Sequence, residues 1–345
     1  MKNLYLFALI ALLALAALSG CALSPEDESQ FLASFAADPS PDPTQAPTNT
    51  PSPSPTPSPT LTPTPIPTVL IDGAEYPEDL TVLDLSHHTL ADPSGIAQLE
   101  YLTDLVLDYS GITDLGFLSE MQSVRTLSLC GNSIEDPSPL YSLTSLEYLD
   151  LDDTPLSYKE LLAVKEALPE CEVVGTFSIS ISDAKNISGI TTQVNGRSID
   201  ETALTIYNDT PFAVDVTIPL GTYFGASASV QNMVVRTEEK MHVNPGSSIS
   251  HRIDTACMNI EKSIPDDSDV MSVKSLDKTS RLARLVEVLS ENGCSYDVAQ
   301  AAIWYVTDNP GDYALLHTLS NGYSDVVNAD ELALAKQMVA LADHR

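Results

Sequence analysis

LTVLDLSHHTL (residues 80–90) is followed, 22 residues on, by LTDLVLDYSGI (102–112), then by VRTLSLCGNSI (124–134) and LEYLDLDDTPL (146–156). Leu83, Leu105, Leu127 and Leu149 share one register, and Leu85, Leu107, Leu129 and Leu151 share another. The spacing persists at Leu90, Ile112, Ile134 and Leu156, and again at Ile96, Leu118, Leu140 and Leu162. A fixed period of this length specifies a solenoid. Each unit is too small to bury its own apolar side and must stack on its neighbours.

Each unit reads L-x-x-L-x-L-x-x-N-x-L, with His88, Ser110, Asn132 and Thr154 at the N-like position. The pattern resembles bacterial leucine-rich repeats of the internalin-like, 22-residue type. That resemblance implies a short parallel strand per unit, a returning convex segment, and an Asn that bonds the turn backbone. Only Asn132 keeps the Asn, so looser turns are expected elsewhere. Val69–Ile71 is expected to add an edge strand, with Tyr76-Pro77 closing the apolar end. The last unit turns helical from Tyr158 to Leu168, Pro169 stops it, and Cys171–Val174 is expected to close the solenoid.

Ahead of the repeats, Lys2 and the apolar run Leu4–Leu18 read as a secretory signal, too short for a comfortable membrane span. Leu18-Ser19-Gly20-Cys21 resembles a bacterial lipobox, which implies acyl chains on Cys21 and a membrane-anchored, extracytoplasmic protein without a transmembrane helix. Residues 38–68 are mostly Pro, Thr and Ser. Such a run cannot build a core, and at polyproline spacing it would reach about 90 Å as an extended stalk.

The 345 residues carry 48 Asp+Glu against 16 Lys+Arg, a formal net charge of −32. That balance repels nucleic acid and favours a soluble, monomeric chain. Besides Cys21 the cysteines are Cys130, Cys171, Cys257 and Cys294. Their wide spacing suits buried free thiols better than a zinc site, and sequence cannot choose among the possible disulfide pairings.

From Gly175 the pattern turns to period 2, as in Phe177–Ile181, Ala203–Tyr207 and Val214–Ile218, with turn signals between. A β-sandwich over 175–264 is expected. Residues 265–345 read as helical and are expected to pack on that sandwich by their apolar faces. Leu282, Leu285, Val286 and Leu289 line one helix, and others span Ser295–Val306 and Tyr313–Leu319. A last helix starts at Asn328 with Glu331 in a capping-box arrangement. The chain thus divides into a signal (1–20), a lipidated spacer (21–37), the stalk (38–68), the capped repeats (69–174), the sandwich (175–264) and the helical end (265–345). The class is α+β.

Two places could carry function. Alternation along the repeat strands puts Val82, Asp84 and Ser86; Asp104, Val106 and Asp108; Thr126, Ser128 and Cys130; and Tyr148, Asp150 and Asp152 on the concave face. No Asp lies directly opposite another. This acidic face, centred on Asp84, Asp104, Asp108, Tyr148, Asp150 and Asp152, suits a basic or hydroxyl-rich partner, a protein or a glycan. Asp150 and Asp152 lack the Gly-containing, oxygen-rich loop of a calcium site, and no cofactor is implied.

The second place joins Ala256-Cys257-Met258-Asn259 to Ala299-Gln300-Ala301-Ala302-Ile303-Trp304. The pair resembles the thioester domains of Gram-positive surface adhesins, over roughly Ile206–Asp308. The resemblance implies that the Cys257 thiolate displaces ammonia from the Gln300 carboxamide, leaving an acyl thioester that captures an amine. Ala256 stands where that family has an aromatic residue, Ala299 where it has Thr, and the 43-residue separation is short. The alternative puts Cys257 in a core as an inert thiol and Gln300 on the water-facing side of its helix. No phosphate-binding loop, Gly-x-Ser-x-Gly or His-Glu-x-x-His motif is present, and the expected function is non-enzymatic. The readings are a displayed protein- or glycan-binding repeat, a covalent adhesin using Cys257 and Gln300, or a spacer presenting the C-terminal part.

Overall fold

The repeat strands are where the 22-residue register places them. In a computed structural model, which describes residues 66–311 and 327–345, β3 (Val82–Asp84), β4 (Asp104–Val106), β5 (Thr126–Ser128) and β6 (Tyr148–Leu151) pair in parallel, each residue opposite its 22-residue counterpart. The signal, Cys21, the spacer, nearly all of the stalk and the expected Tyr313–Leu319 helix lie outside the described residues. Among the described residues no helix is long and apolar enough to cross a membrane.

Leu105, Leu127 and Leu149 are fully buried, as are Leu107, Leu129 and Leu151. The ladder is therefore the core of a leucine-rich-repeat solenoid, each leucine contributing roughly 2–3 kcal/mol by leaving water. The returning segments are short 3-10 turns at Ser94–Gln98, Gly116–Leu118 and Ser138–Ser142. Asp92, Asp114 and Asp136 prepare them by accepting the backbone N–H two residues on. The fourth unit substitutes the helix α1 (Tyr158–Ala167), opened by a Ser157–Glu160 capping box. That change shifts the buried position, so Leu161 is fully buried and Leu162 only half-buried.

Two features hold the turns. Asn132 joins adjacent coils: its carboxamide oxygen accepts from Ser110 N (3.2 Å) and Ile112 N (2.9 Å), and its nitrogen donates to Leu107 O and Leu129 O (both 2.8 Å). Ser110 and Thr154 partly replace it, donating to Leu85 O and Leu151 O, whereas His88 is exposed and its ring bonds Ser86 O. His87, Tyr109, Gly131 and Asp153, again 22 apart, all have left-handed backbone, with φ of 60°, 51°, 69° and 54°. Gly131 is also required sterically, because the Tyr109 ring would lie 2.2 Å from any Cβ there.

The expected N-terminal edge strand is instead a separate hairpin. Asp72 and Gly73, with φ of 47° and 84°, reverse the chain and pair β1 (Thr68–Ile71) with β2 (Ala74–Pro77). Val69 and Ile71 are buried, Tyr76 is half-buried and Pro77 exposed. Thr68, assigned to the stalk, begins β1.

The sequence expectation of a solenoid closed at Val174 and then a sandwich is also corrected. β7 runs Glu172–Ser180, across that boundary. Its first half pairs with β6 and its second half, in parallel, with β10 (Ala213–Ile218), which β13 (Glu239–Val243) flanks. The resulting sheet has seven strands, in the order β13-β10-β7-β6-β5-β4-β3. The remaining strands close a barrel, β11-β12-β14-β9-β8-β15. They are β8 (Ile190–Gly196), β9 (Glu201–Asn208), β11 (Thr222–Gly225), β12 (Met233–Val235), β14 (Ser247–Cys257) and β15 (Val270–Ser275). Alternation dictates that each strand has one buried face, as in the iBiBiB burial of β10, but not which strands become neighbours. β15 falls in the segment read as helical.

The helices match their expected positions closely. They are α2 (Arg281–Glu291), α3 (Tyr296–Thr307, capped by Ser295) and α4 (Ala329–Asp343, with the Asn328–Glu331 capping box). Leu282, Leu285, Val286 and Leu289 are buried, as are Leu332, Ala335, Met338 and Val339. α3 packs on β14 and on both other helices. Thr64–Arg345 is one compact unit. Replacing Asn132 with Ala is expected to lower the unfolding free energy by about 3 kcal/mol, because four backbone groups in two coils lose a partner, and Thr154→Ala by about 1 kcal/mol. Urea midpoints measure both, and equal shifts would show that Asn132 does not staple the coils.

Candidate functional site

Cys257 is the last residue of β14, the long strand that pairs with β9 over Ser247–Asp254 and with β12 over Thr255–Cys257. Gln300 sits in the second turn of α3, which lies on that strand. Both residues are fully buried. The alternative that faced Gln300 to water is therefore overturned. Helix α3 has apolar residues nearly all round, with Val298, Ala301, Ala302, Ile303 and Trp304 buried, so no face of this turn is free for solvent.

The Gln300 carboxamide is clasped by the Cys257 peptide. Its oxygen accepts the Cys257 N–H (2.9 Å) and its nitrogen donates to the Cys257 carbonyl (2.8 Å). The same oxygen accepts the Tyr296 hydroxyl at 2.8 Å. The Cys257 thiol donates toward Ile199 O and touches Met233 Sδ, each at 3.5 Å. Burial, assisted by the charge of Asp200, pushes this thiol far above the ordinary cysteine range. Burial likewise holds the Tyr296 phenol protonated, the Cys257 and Asp200 charges adding to the effect.

Arg236 completes the surroundings. Its guanidinium lies 5.2 Å from the Tyr296 ring centroid and pairs with Asp254 at 2.8 Å. A small cavity of about 80 Å³ shares Arg236 and is lined also by Cys294, Ala299 and Ile303. Neither His242 nor His251, the histidines nearest Cys257 along the chain, bonds to it. His242 is held by Asp215 across β13 and β10 (2.7 Å), which raises its pKa, and His251 lies 4.0 Å from Glu239. The groups that surround Cys257 and Gln300 are ones that sequence reasoning did not name: Tyr296, Ile199, Asp200 and Met233. One signal was available for Tyr296, which is four residues before Gln300 on the same helix face.

The concave repeat residues all reach the surface, half-buried or exposed. Their carboxylates are engaged locally. Asp84 accepts from Ser86, Asp104 from Thr103, Asp108 from Ser128 Oγ and Cys130 N, Asp150 from Asp152 N, and Asp152 from Thr176. Partial burial raises the pKa of Asp150, and the charges of Asp152 and Asp108 add to it. Tyr148 is raised for the same reasons. The face thus concentrates negative charge that no basic side chain of its own strands neutralises. Beside it, the His87 and Tyr109 rings stack at 5.2 Å, and the Tyr109 hydroxyl reaches Asp153. Cys130, Cys171, Cys257 and Cys294 are all free thiols. Among the described residues no group of three or more His, Cys, Asp or Glu is placed to hold a metal ion.

No protein-family model matches the chain. Among curated proteins, the chain is similar to the α subunit of geranylgeranyl transferase type 2 from Sus scrofa. The identity is 35% over 95 residues, covering 26% of this chain and 16% of that protein. Among solved structures it is similar to internalin C2 of Listeria monocytogenes (29% identity, 29% of this chain and 45% of that one, TM-score 0.26). It is similar also to a leucine-rich-repeat protein of Leptospira interrogans (31% identity, 28% and 25%, TM-score 0.25). The chain thus spans less than half the length of each of these proteins.

Proposed function

We propose that this is a bacterial surface lipoprotein that attaches covalently to an amine-bearing partner through a Cys257–Gln300 thioester. One observation carries the reading: a glutamine side chain, fully buried, is held against the backbone of a fully buried cysteine. In this chemistry Cys257 Sγ bonds to the Gln300 carboxamide carbon, the C–N bond breaks, and ammonia leaves with the thiol proton. An incoming amine then forms an amide at the same carbon, the C–S bond breaks, and the thiol regains a proton. The glutamine is consumed, so this is a single-use acyl donor and not a turnover enzyme. Intact mass checks it: the folded chain should weigh about 17 Da less than its sequence, and methylamine should add about 31 Da. Cys257→Ala and Gln300→Ala should each abolish both changes. A wild-type mass without the deficit would leave the carboxamide as a structural clip between α3 and β14 and end the reading.

The anchor rests on Leu18–Cys21 and the Pro/Thr/Ser stalk. The full chain should partition into the detergent phase, and Cys21→Ser should move it to the aqueous phase; indifference to that substitution would remove the lipid.

The acidic repeat face supports a second, compatible role: non-covalent docking of a basic or hydroxyl-rich protein or glycan. The raised pKa of Asp150 motivates it, since a cationic partner would relieve charge that burial and its neighbours disfavour. Changing Asp104, Asp108, Asp150 and Asp152 together to Asn should abolish retention on bacterial or host surfaces, and wild-type retention should weaken with salt. Unchanged retention would leave the solenoid as a spacer.

A further inference from the structure

We infer that Tyr296 and the Cys257 peptide N–H form the donor pair that stabilises negative charge on Gln300 Oε1 as the thioester forms and breaks, which makes Tyr296 a catalytic residue. The inference rests on the thioester reading of the same site.

The argument begins with the two hydrogen bonds to a single oxygen. Cys257 N–H reaches Gln300 Oε1 at 2.9 Å and the Tyr296 hydroxyl reaches it at 2.8 Å. Attack of Sγ on the carboxamide carbon converts the carbonyl oxygen into an oxyanion in the tetrahedral intermediate. The same oxygen bears that charge when an amine later attacks the thioester. Donors aimed at that atom, in a site closed to water, are the arrangement that accelerates acyl transfer. The backbone donor is rigid because it ends strand β14 in register with Met233 of β12. It also belongs to the nucleophile's own residue. Only Cα and Cβ separate that nitrogen from Sγ, so the donor and the nucleophile belong to one residue whose backbone clasps the carboxamide.

The phenol adds selectivity for the transition state. Its single proton has two acceptors, Gln300 Oε1 at 2.8 Å and Ile199 O at 2.9 Å. With a neutral carboxamide the two compete on similar terms. Once charge develops on Oε1, the proton commits to it, because hydrogen bonds to an ionised acceptor are about twice as strong. The interaction is thus stronger in the transition state than in the ground state, which is the condition for catalysis. Two neighbours keep Tyr296 a donor. Burial opposes its ionisation, so it does not act as a base. Arg236, over the ring face, strengthens the O–H as a donor by withdrawing charge. Ile199 O also lies at hydrogen-bond distance from the Cys257 thiol, so one carbonyl orients both the nucleophile and the donor before reaction.

The test uses the purified, detergent-solubilised full chain and methylamine as the probe amine. In Tyr296→Phe, folded by circular dichroism, loss of ammonia on refolding and cleavage by methylamine should both slow by about 100-fold or more. Fluorinated tyrosines placed at 296 keep the shape and vary the acidity of the phenol, so they read the role even where the Phe variant fails to fold. Both rates should change with phenol acidity while the thermal midpoint stays level. Rates indifferent to fluorination, or unchanged in Tyr296→Phe, overturn the role of Tyr296 and leave the thioester standing. A wild-type chain that never shows the 17-Da deficit (about one ammonia) overturns the thioester reading itself, and this inference with it.

Discussion

Every coil of the solenoid leaves half of its apolar surface uncovered until the next coil arrives. Leu105, Leu127 and Leu149, all fully buried, stand opposite one another on adjacent strands. That mutual burial fixes the parallel register of β3–β6 to the period of the sequence, and the register in turn aligns Asn132, the left-handed turn residues and the Asp caps into ladders. The polar ladders are affordable only because the leucines hold the coils together, since an isolated coil would lose more in chain entropy than one Asn could return. At the C-terminal end the stacking surface is met by a strand that continues into new structure, so the solenoid and the barrel are parts of one compact unit.

The same burial logic explains the candidate thioester site. A carboxamide in an apolar interior requires partners for both its oxygen and its nitrogen. Gln300 finds both on Cys257, with Tyr296 added on the oxygen. The arrangement locks helix α3 to the end of β14. On the proposed chemistry, the bond that joins the two elements is also the one that holds the acyl donor. Enclosure serves both uses, because it strengthens the hydrogen bonds and keeps hydrolytic water from a thioester.

The repeats were legible because burial in a solenoid is periodic in sequence, and the leucines report it directly. The left-handed ladder was not, since His87, Tyr109 and Asp153 do not announce positive φ as Gly131 does. The helices were legible from their caps and stripes, with Ser295, Asn328 and Glu331 marking their starts. The barrel was not, because alternation specifies a buried face and leaves partner choice to long-range packing. Thus Phe177–Ile181, read as a sandwich strand, belongs in part to β7 and joins the repeat sheet. Cys257 and Gln300 could be named from a motif, but their contact needed β14 and α3 to be brought together. Tyr296 was one helical turn from Gln300 and became meaningful only when its hydroxyl met the carboxamide.

β7 serves two masters: Glu172–Gly175 bond to β6, and Thr176–Ser180 bond to β10. A pull applied between the repeat end and the barrel would travel through this strand. Pulled along its own axis, β7 shares the strain among several parallel rungs at once, so it slides only when all of them yield. The three-residue strands of the coils have fewer rungs each and would part earlier, one coil after another. Under traction the coils would therefore lengthen like a spring before β7 gives up its place between them and β10.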